Sequence, residues 1–105
     1  MKKIELIKST SNVTNRDLIN ARTSVPLKEV IGQQIEAVKA FTFKQDDLTI
    51  FSFQDDKGQY YSTISSAIIE VSDFVIDEID AQGRFVLECT SHKSNSGRDF
   101  LLLRV

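Results

Sequence analysis

The chain has 105 residues, 41% of them hydrophobic and 27% charged, which is typical of one globular domain and excludes a disordered or low-complexity chain. Its net charge of −2 excludes a strongly basic protein. The longest apolar runs, Ala67–Ile69 and Phe100–Leu103, fall far short of the ~20 residues that cross a bilayer. The N-terminal residues lack the apolar stretch of a signal peptide, because Glu5 and Lys8 interrupt it. The sequence therefore predicts a cytoplasmic protein with no membrane partner.

Residues 1–28 are polar and are interpreted as an N-terminal extension that packs on or near a main domain of residues 29–105. Within the extension, Ile4 and Leu6 alternate with their neighbours as in a short strand. Thr14, with Asp17 three residues later, can cap a short helix that runs through Ala21. Pro26, the only proline, marks an irregular entry to the main domain.

The main domain begins with a predicted long strand over residues 33–43. Its apolar residues share one parity, and the off-phase Val38 predicts a bend or bulge near Ala37 and Val38. The polar residues 44–47 form a turn, and residues 48–54 return as a second strand. Asp55–Gly58 is a second turn, because Gly58 can take the positive φ that closes a hairpin before a third strand at residues 59–64.

One helix and two more strands follow. The helix is predicted to begin after the N-cap Ser66 and to end at Gly83. It is indicated by apolar residues at helical spacing: Ile68, Val71, Val75 and Ile79, with Ile69 and Ile76 beside them. Residues 84–90 and 99–105 form the strands, joined by a loop over residues 91–98. In the first of these strands Cys89, the only cysteine, lies on the same face as Phe85 and Leu87. This position favours a buried structural thiol over a nucleophile.

The acidic residues are concentrated in the predicted helix. Residues 70–80 contain five acids and no basic residue: Glu70, Asp73, Asp77, Glu78 and Asp80. Since the whole chain carries −2 and these acids −5, the rest carries +3. The acidic run is interpreted as a solvated helix face, or alternatively as an interaction surface, and it leaves room for a basic surface elsewhere.

The predicted order is strand, strand, strand, helix, strand, strand, so the fold class is mainly β with one helix. This is the order of an OB-fold, a five-stranded Greek-key barrel. Residues 32–105 resemble the small single-stranded DNA-binding proteins of phages and mobile elements, especially in Tyr60-Tyr-Ser-Thr-Ile-Ser-Ser66 and in His92-Lys-Ser-Asn-Ser-Gly-Arg-Asp-Phe100. The resemblance implies non-sequence-specific binding of single-stranded DNA in replication or recombination.

In an OB-fold, the second and third strands and two of the loops bind the ligand. The resemblance therefore implies base stacking by aromatic residues and phosphate contacts by cations: Phe51, Phe53, Tyr60 and Tyr61 for stacking, and Lys44, His92, Lys93 and Arg98 for phosphate. Strand alternation limits this set, because either Phe51 with Phe53 or Leu48 with Ile50 must fill the core, and the phenylalanines are favoured. Tyr60 and Tyr61 must point to opposite faces, so only one of them is expected to be exposed.

Enzymatic activity is not expected, because the sequence has neither a second histidine nor a phosphate-binding glycine-rich loop. One histidine and one cysteine are too few for a zinc site, so neither a metal nor a small-molecule cofactor is predicted. An open sheet edge makes a homo-oligomer plausible. The alternative function is a non-catalytic interaction module, an inhibitor or adaptor that presents the acidic helix face of residues 70–80 to a basic partner.

Overall fold

The computed structural model describes residues 4–97 and 99–104. Within them lie seven strands, two α-helices and the short 3₁₀ helices Ala21–Thr23 and Leu27–Val30. The strands and α-helices follow in this order: β1 (Ile4–Ser9), α1 (Asn15–Asn20), β2 (Val25–Pro26), β3 (Gln34–Gln45), β4 (Leu48–Asp55), β5 (Tyr60–Thr63), α2 (Ser66–Gln82), β6 (Phe85–Lys93) and β7 (Asp99–Arg104).

All the strands belong to one sheet that curls into half a barrel. Its strand order is β2-β5-β4-β3-β6-β7, and β1 also pairs with β3. The chain is therefore mainly β, as predicted. The one helix predicted for the main domain is α2, and the short helix predicted from Thr14 in the N-terminal extension is present as α1.

The long strand β3 connects the two halves of the sheet. Its first residues, Gln34–Ala37, pair with β6, and its later residues pair with β1 and β4. The register with β4 shifts between Ala37 and Lys39, which confirms the predicted bulge. The extra residue bends the strand and increases its twist, so that one strand can follow two partners in different directions.

Two tight turns join β3, β4 and β5. Asp46 and Asp47 alone connect β3 to β4, and Asp46 has a φ of +56°, which aspartate tolerates better than most residues. In the next turn the Asp55 carboxylate accepts hydrogen bonds from the backbone N–H groups of Lys57 (2.9 Å) and Gln59 (2.8 Å). Gly58 has a φ of +89°, so the predicted turn and the role of its glycine are confirmed.

Helix α2 packs on the inner face of the curled sheet and ends where the sequence predicts. Gly83 has a φ of +84°, and its N–H donates a 2.7 Å hydrogen bond to the Ile79 carbonyl. The helix buries five side chains against Phe51, Phe53, Leu87 and Cys89 from the sheet: Ile68, Ser72, Val75, Ile76 and Ile79.

The predicted buried face of α2 needs one correction. Val71 is 43% exposed, whereas Ser72 is buried in its place. The Ser72 hydroxyl donates a hydrogen bond to the Ile69 carbonyl (2.7 Å), so this polar atom is buried with a partner. The centre of the buried stripe therefore lies about one residue away from the position that apolar spacing predicts.

A second core lies on the outer face of the sheet. Phe41, Phe43 and Tyr60 point away from α2, and residues from the N-terminal segment pack against them: Ile4, Val13, Leu18 and Ala21. The predicted strand and helix of this segment are both present, as β1 and α1. The sheet is therefore apolar on both faces, with α2 covering one and the N-terminal segment covering the other.

The buried Asp17 carboxylate fastens the N-terminal segment to the sheet. It accepts hydrogen bonds from the Thr14 N–H (2.7 Å) and from the Tyr60 hydroxyl, and Lys39 Nζ lies 3.3 Å away. Burial raises the pKa of Asp17, but the bonds from Tyr60, Thr14 and Lys39 outweigh it, so the pKa lies below its usual value. One charge thus links α1, β3 and β5.

We expect Asp17→Asn to lower the free energy of unfolding by roughly 1.5–3 kcal/mol at neutral pH, as is typical of hydrogen bonds to charged groups. Because the folded pKa lies below the unfolded value of ~3.9, the stabilisation by Asp17 is present above that value and disappears as the pH falls through the folded pKa. The difference from wild type should therefore shrink in acid. Urea unfolding across the pH range measures this difference in the free energy of unfolding, and Asp56→Asn in an exposed turn is the control. A cost of Asp17→Asn that does not change with pH would contradict the role of the charge.

We expect Phe53→Ala to lower the free energy of unfolding by about 3–5 kcal/mol, because the ring is 0% exposed and its removal leaves a cavity. Phe74→Ala is the matched control, since this ring on α2 is 53% exposed and should cost less than about 1 kcal/mol. Urea denaturation of both variants tests the comparison. Equal costs would be inconsistent with the observed inner core.

Candidate nucleic-acid interface

The two predicted stacking residues on β4 lie in the inner core. Phe51 and Phe53 are both 0% exposed, and their ring centroids are 5.8 Å apart. Alternation along the strand points both toward α2, which confirms the expectation that they fill the core. Neither ring has a face open to a nucleic-acid base in this conformation.

Tyr60 and Tyr61 point to opposite faces, as strand geometry requires. Tyr60 belongs to the outer core and donates its hydroxyl hydrogen to Asp17. Tyr61 is half-buried, stacks on Phe53 with 5.3 Å between ring centroids, and donates to Asp55 Oδ2 (3.2 Å). Burial, together with the neighbouring carboxylate, raises the pKa of each phenol. Both tyrosines thus make contacts that hold the sheet together.

The predicted cations occupy two regions. Lys44 is exposed on β3, opposite Thr49 of β4 and Glu5 of β1. His92 and Lys93 are exposed at the end of β6, opposite Phe100 and Asp99 of β7. Arg98 lies outside the described residues. The predicted loop is also shorter than expected, because β6 extends through Lys93.

The curling of the sheet creates a cleft between β5 and β7, which lie near opposite ends of the strand order. Its volume is about 520 Å³, and the Ser65 hydroxyl spans one end by donating to the Leu101 carbonyl (3.2 Å). Ser62 of β5 and Phe100 of β7 line the cleft, and Ile64, Ile50 and Lys28 are among its other lining residues. None of these cleft residues is among the predicted site residues.

Phe100 is the aromatic residue of the cleft. Its side chain is 37% exposed, and its ring packs on the His92 imidazole with 5.7 Å between centroids and 30° between planes. His92 Nε2 lies 2.9 Å from the Thr90 hydroxyl, which holds the imidazole in place. Of the predicted residues, the structure thus brings His92 and Lys93 next to the cleft, through their strand partners Phe100 and Asp99.

The cleft has features that suit a phosphate. Four hydroxyl residues line it, and Lys28 supplies a cation: Ser62, Thr63, Ser65 and Ser66. Helix α2 begins at Ser66 and has no acidic residue in its first turn, so the positive end of its dipole lies at the cleft wall without a neutralising carboxylate. The acid Asp99 also lines the cleft and opposes an anionic ligand.

Sequence reasoning missed Phe100 because it opens the apolar run Phe100–Leu103, which is typical of a core strand. The signal that could have found it is its position near the start of β7, opposite His92. Ser62 and Ser66 lie within the segment 60–66 that carries the resemblance, but the sequence predicts only a helix N-cap there, at Ser66, because hydroxyl residues at a strand end are common.

The described residues, 4–97 and 99–104, contain no group of three or more histidine, cysteine, aspartate or glutamate side chains that could hold a metal. None of their helices is long and apolar enough to cross a membrane. Comparisons with protein-family models, curated proteins and solved structures found no match.

Cys89 is a buried thiol on β6, 1% exposed. Burial raises its pKa, so the thiolate is disfavoured near neutral pH. We expect Cys89 to remain unreactive toward a disulfide reagent such as DTNB in the folded protein and to react fully after denaturation. Glutathione in the same assay is the reactive control, and rapid stoichiometric labelling of the folded chain would contradict a structural thiol.

Proposed function

We propose that the chain is an OB-fold protein that binds single-stranded DNA without sequence preference, in the cleft between β5 and β7. The observation that carries the proposal is the presence, in one cleft, of an exposed aromatic ring, several hydroxyl groups and the N-terminus of α2. These are the two kinds of group that single-strand binding requires: a surface on which bases stack and donors or cations that contact phosphate.

The order of the strands supports the OB-fold assignment. Strands β3, β4 and β5 follow one another in the chain and in the sheet, and β6 returns through α2 to lie beside β3. The spatial order β6-β3-β4-β5 is the order of a Greek key. With β7 added, β3 to β7 provide the five strands of an OB-fold, and α2 connects the third to the fourth.

The position of the cleft fits this assignment. In OB-folds the face of the second and third strands and the adjoining loops bind oligonucleotides. Here Ile50 comes from β4, Ser62 and Thr63 come from β5, and Phe100 follows the loop that joins β6 to β7. The cleft thus combines residues from the elements that bind ligands in this fold.

The roles within the cleft follow from its chemistry. Phe100, supported by His92, offers a ring face to a base, a contact worth about 1–3 kcal/mol per base. Lys28 and Lys93 supply positive charge near the cleft, and the first turn of α2 supplies backbone N–H groups for a phosphate. Asp99 and the turn acids Asp46 and Asp47 reduce the local positive potential. We therefore expect modest affinity that falls steeply with salt.

This activity belongs to the handling of single strands during DNA replication or recombination, in a phage or mobile element. Coating of a single strand needs no catalytic group, and the ring, hydroxyl and cation contacts in the cleft act through binding alone. Because stacking and phosphate contacts do not distinguish base edges, the same contacts give no sequence preference.

The test is fluorescence anisotropy with labelled oligo-dT, compared with duplex DNA of equal length. We expect saturable binding to the single strand and weaker binding to the duplex. Phe100→Ala should weaken binding about 5- to 150-fold, the equivalent of one lost base stack. Phe74→Ala is the matched control, because it removes the other exposed phenylalanine of the described residues, on α2, and should bind like wild type.

Lys93→Ala adds a second readout, because loss of one phosphate contact should reduce the slope of log affinity against log salt by about 1. Circular dichroism of each variant checks that it is folded. No saturable binding of oligo-dT at micromolar protein and low salt would overturn the proposed function. Equal weakening by Phe100→Ala and Phe74→Ala would refute the assignment of the cleft as its site.

A further inference from the structure

Helix α2 has a second apolar stripe, which faces solvent. Ala67, Val71, Phe74 and Ala81 follow one another at intervals of four, three and seven residues, so they share one side of the helix. Val71 is 43% exposed and Phe74 is 53% exposed. This outer stripe is separate from the buried residues of α2, which pack on the sheet.

The spacing of the outer stripe is that of the seam between two packed helices. Intervals of three and four residues place apolar side chains where a second helix can interdigitate with them. From Ala67 to Ala81 the stripe is about 21 Å long, at 1.5 Å per residue. Phe85 of β6 widens it, since its ring meets the Phe74 ring edge-on with 6.2 Å between centroids.

Acidic residues lie along one side of the outer stripe and within it. Glu70 and Asp77 lie along one side of it, and Glu78 occupies a position within it. Asp77 forms an exposed ion pair with Lys8 (3.0 Å), and Asp80 accepts bonds from the Ser11 N–H and hydroxyl. Among the residues that the structure describes, Glu70, Asp73 and Glu78 form no ion pair. The surface beside the stripe therefore carries a net negative charge.

We infer that this outer stripe docks an amphipathic helix with basic flanks, supplied by another protein. The charge selects this occupant over the others. A second copy of the chain would bring the same acids face to face, and like charges across an interface cost several kcal/mol. An anionic lipid surface or a nucleic acid would be repelled for the same reason. Lysine or arginine beside an apolar seam complements both the charge and the shape.

The docking surface is separate from the proposed DNA cleft. Phe74 lies eight residues beyond Ser66, where α2 meets the cleft, a distance of about 12 Å along the helix axis. The first end of the outer stripe, Ala67, adjoins Ser66, but a partner helix centred on Phe74 contacts other residues than those assigned to DNA. The two proposals can fail independently, because they depend on different residues.

Two synthetic helical peptides test the inference. Both carry the same leucine seam at intervals of three and four residues, but one has lysines at the flanking positions and the other has glutamates. We expect the basic peptide to bind with micromolar affinity in calorimetry and to weaken as salt rises. In ¹⁵N NMR spectra its addition should shift the amide signals of Val71, Phe74 and Phe85. The acidic peptide should not bind.

Substitutions then identify the surface. Phe74→Ala should weaken the basic peptide about tenfold or more, as expected for a central aromatic contact. The double variant Glu70→Lys with Asp73→Lys should weaken it to a similar degree. Ile19→Ala, which removes an apolar residue that is 62% exposed on α1, and Asp56→Lys in the β4–β5 turn are the controls and should bind like wild type.

Several outcomes would overturn the inference. Equal binding of the acidic peptide, an unchanged affinity for Phe74→Ala, or amide shifts centred away from α2 would each do so. Sedimentation that shows wild-type dimers abolished by Phe74→Ala would assign the outer stripe to a second copy instead. Binding of oligo-dT by Phe74→Ala, measured in parallel, separates failure of this surface from failure of the DNA proposal.

Discussion

The architecture depends on one long strand that is apolar on both faces. After its bulge, β3 directs Ala40 and Thr42 toward α2 and Phe41 and Phe43 toward the opposite side. A strand of this kind needs a covering layer on each face, because leaving phenylalanine rings exposed to water would forgo the favourable free energy of burying them. The N-terminal segment supplies the second layer, and therefore it forms part of the folded unit. This cover also limits where a ligand can bind, since it occupies the outer face of β3 and leaves the seam between β5 and β7 open.

The outer layer is fastened by a charge. Asp17 lies in α1 and Tyr60 in β5, 43 residues apart in sequence, and Lys39 reaches the same carboxylate from β3. A buried carboxylate without these partners would be strongly destabilising, so the three groups are mutually dependent. Their contacts hold α1 against β3 and β5. Tyr60 therefore serves the outer core, and Phe100 is the aromatic residue that lines the cleft.

The features that the sequence predicts well are local. The bulge near Ala37, the turn at Asp55–Gly58, the end of α2 at Gly83 and the burial of Phe51 and Phe53 all follow from alternation, spacing and backbone preference. The features it does not predict are produced by contacts between distant segments. Phe100 is exposed because it lies near the start of β7, the last strand in the sheet order, and the cleft exists because the sheet curls. The contact between Asp17 and Tyr60 joins residues 43 apart, so neither the helix pattern around Asp17 nor the strand pattern around Tyr60 predicts it.

The charges of α2 oppose the helix dipole, so the two ends of the helix differ in their electrostatic character. Stable helices favour acids in the first turn and bases in the last, but α2 has neither, and Asp80 lies in its last turn. Hydrogen bonds from the N–H and hydroxyl of Ser11 compensate at that position and lower the pKa of Asp80. No acid lies in the first turn of α2, so only Asp99 among the cleft-lining residues opposes an anion at the positive end of the helix. Farther along the helix, Glu70, Asp73 and Glu78 make the outer stripe negative and so unsuited to the same anion. An arrangement that lowers the stability of the helix thus separates the proposed phosphate site at its first end from the proposed helix-docking surface farther along it.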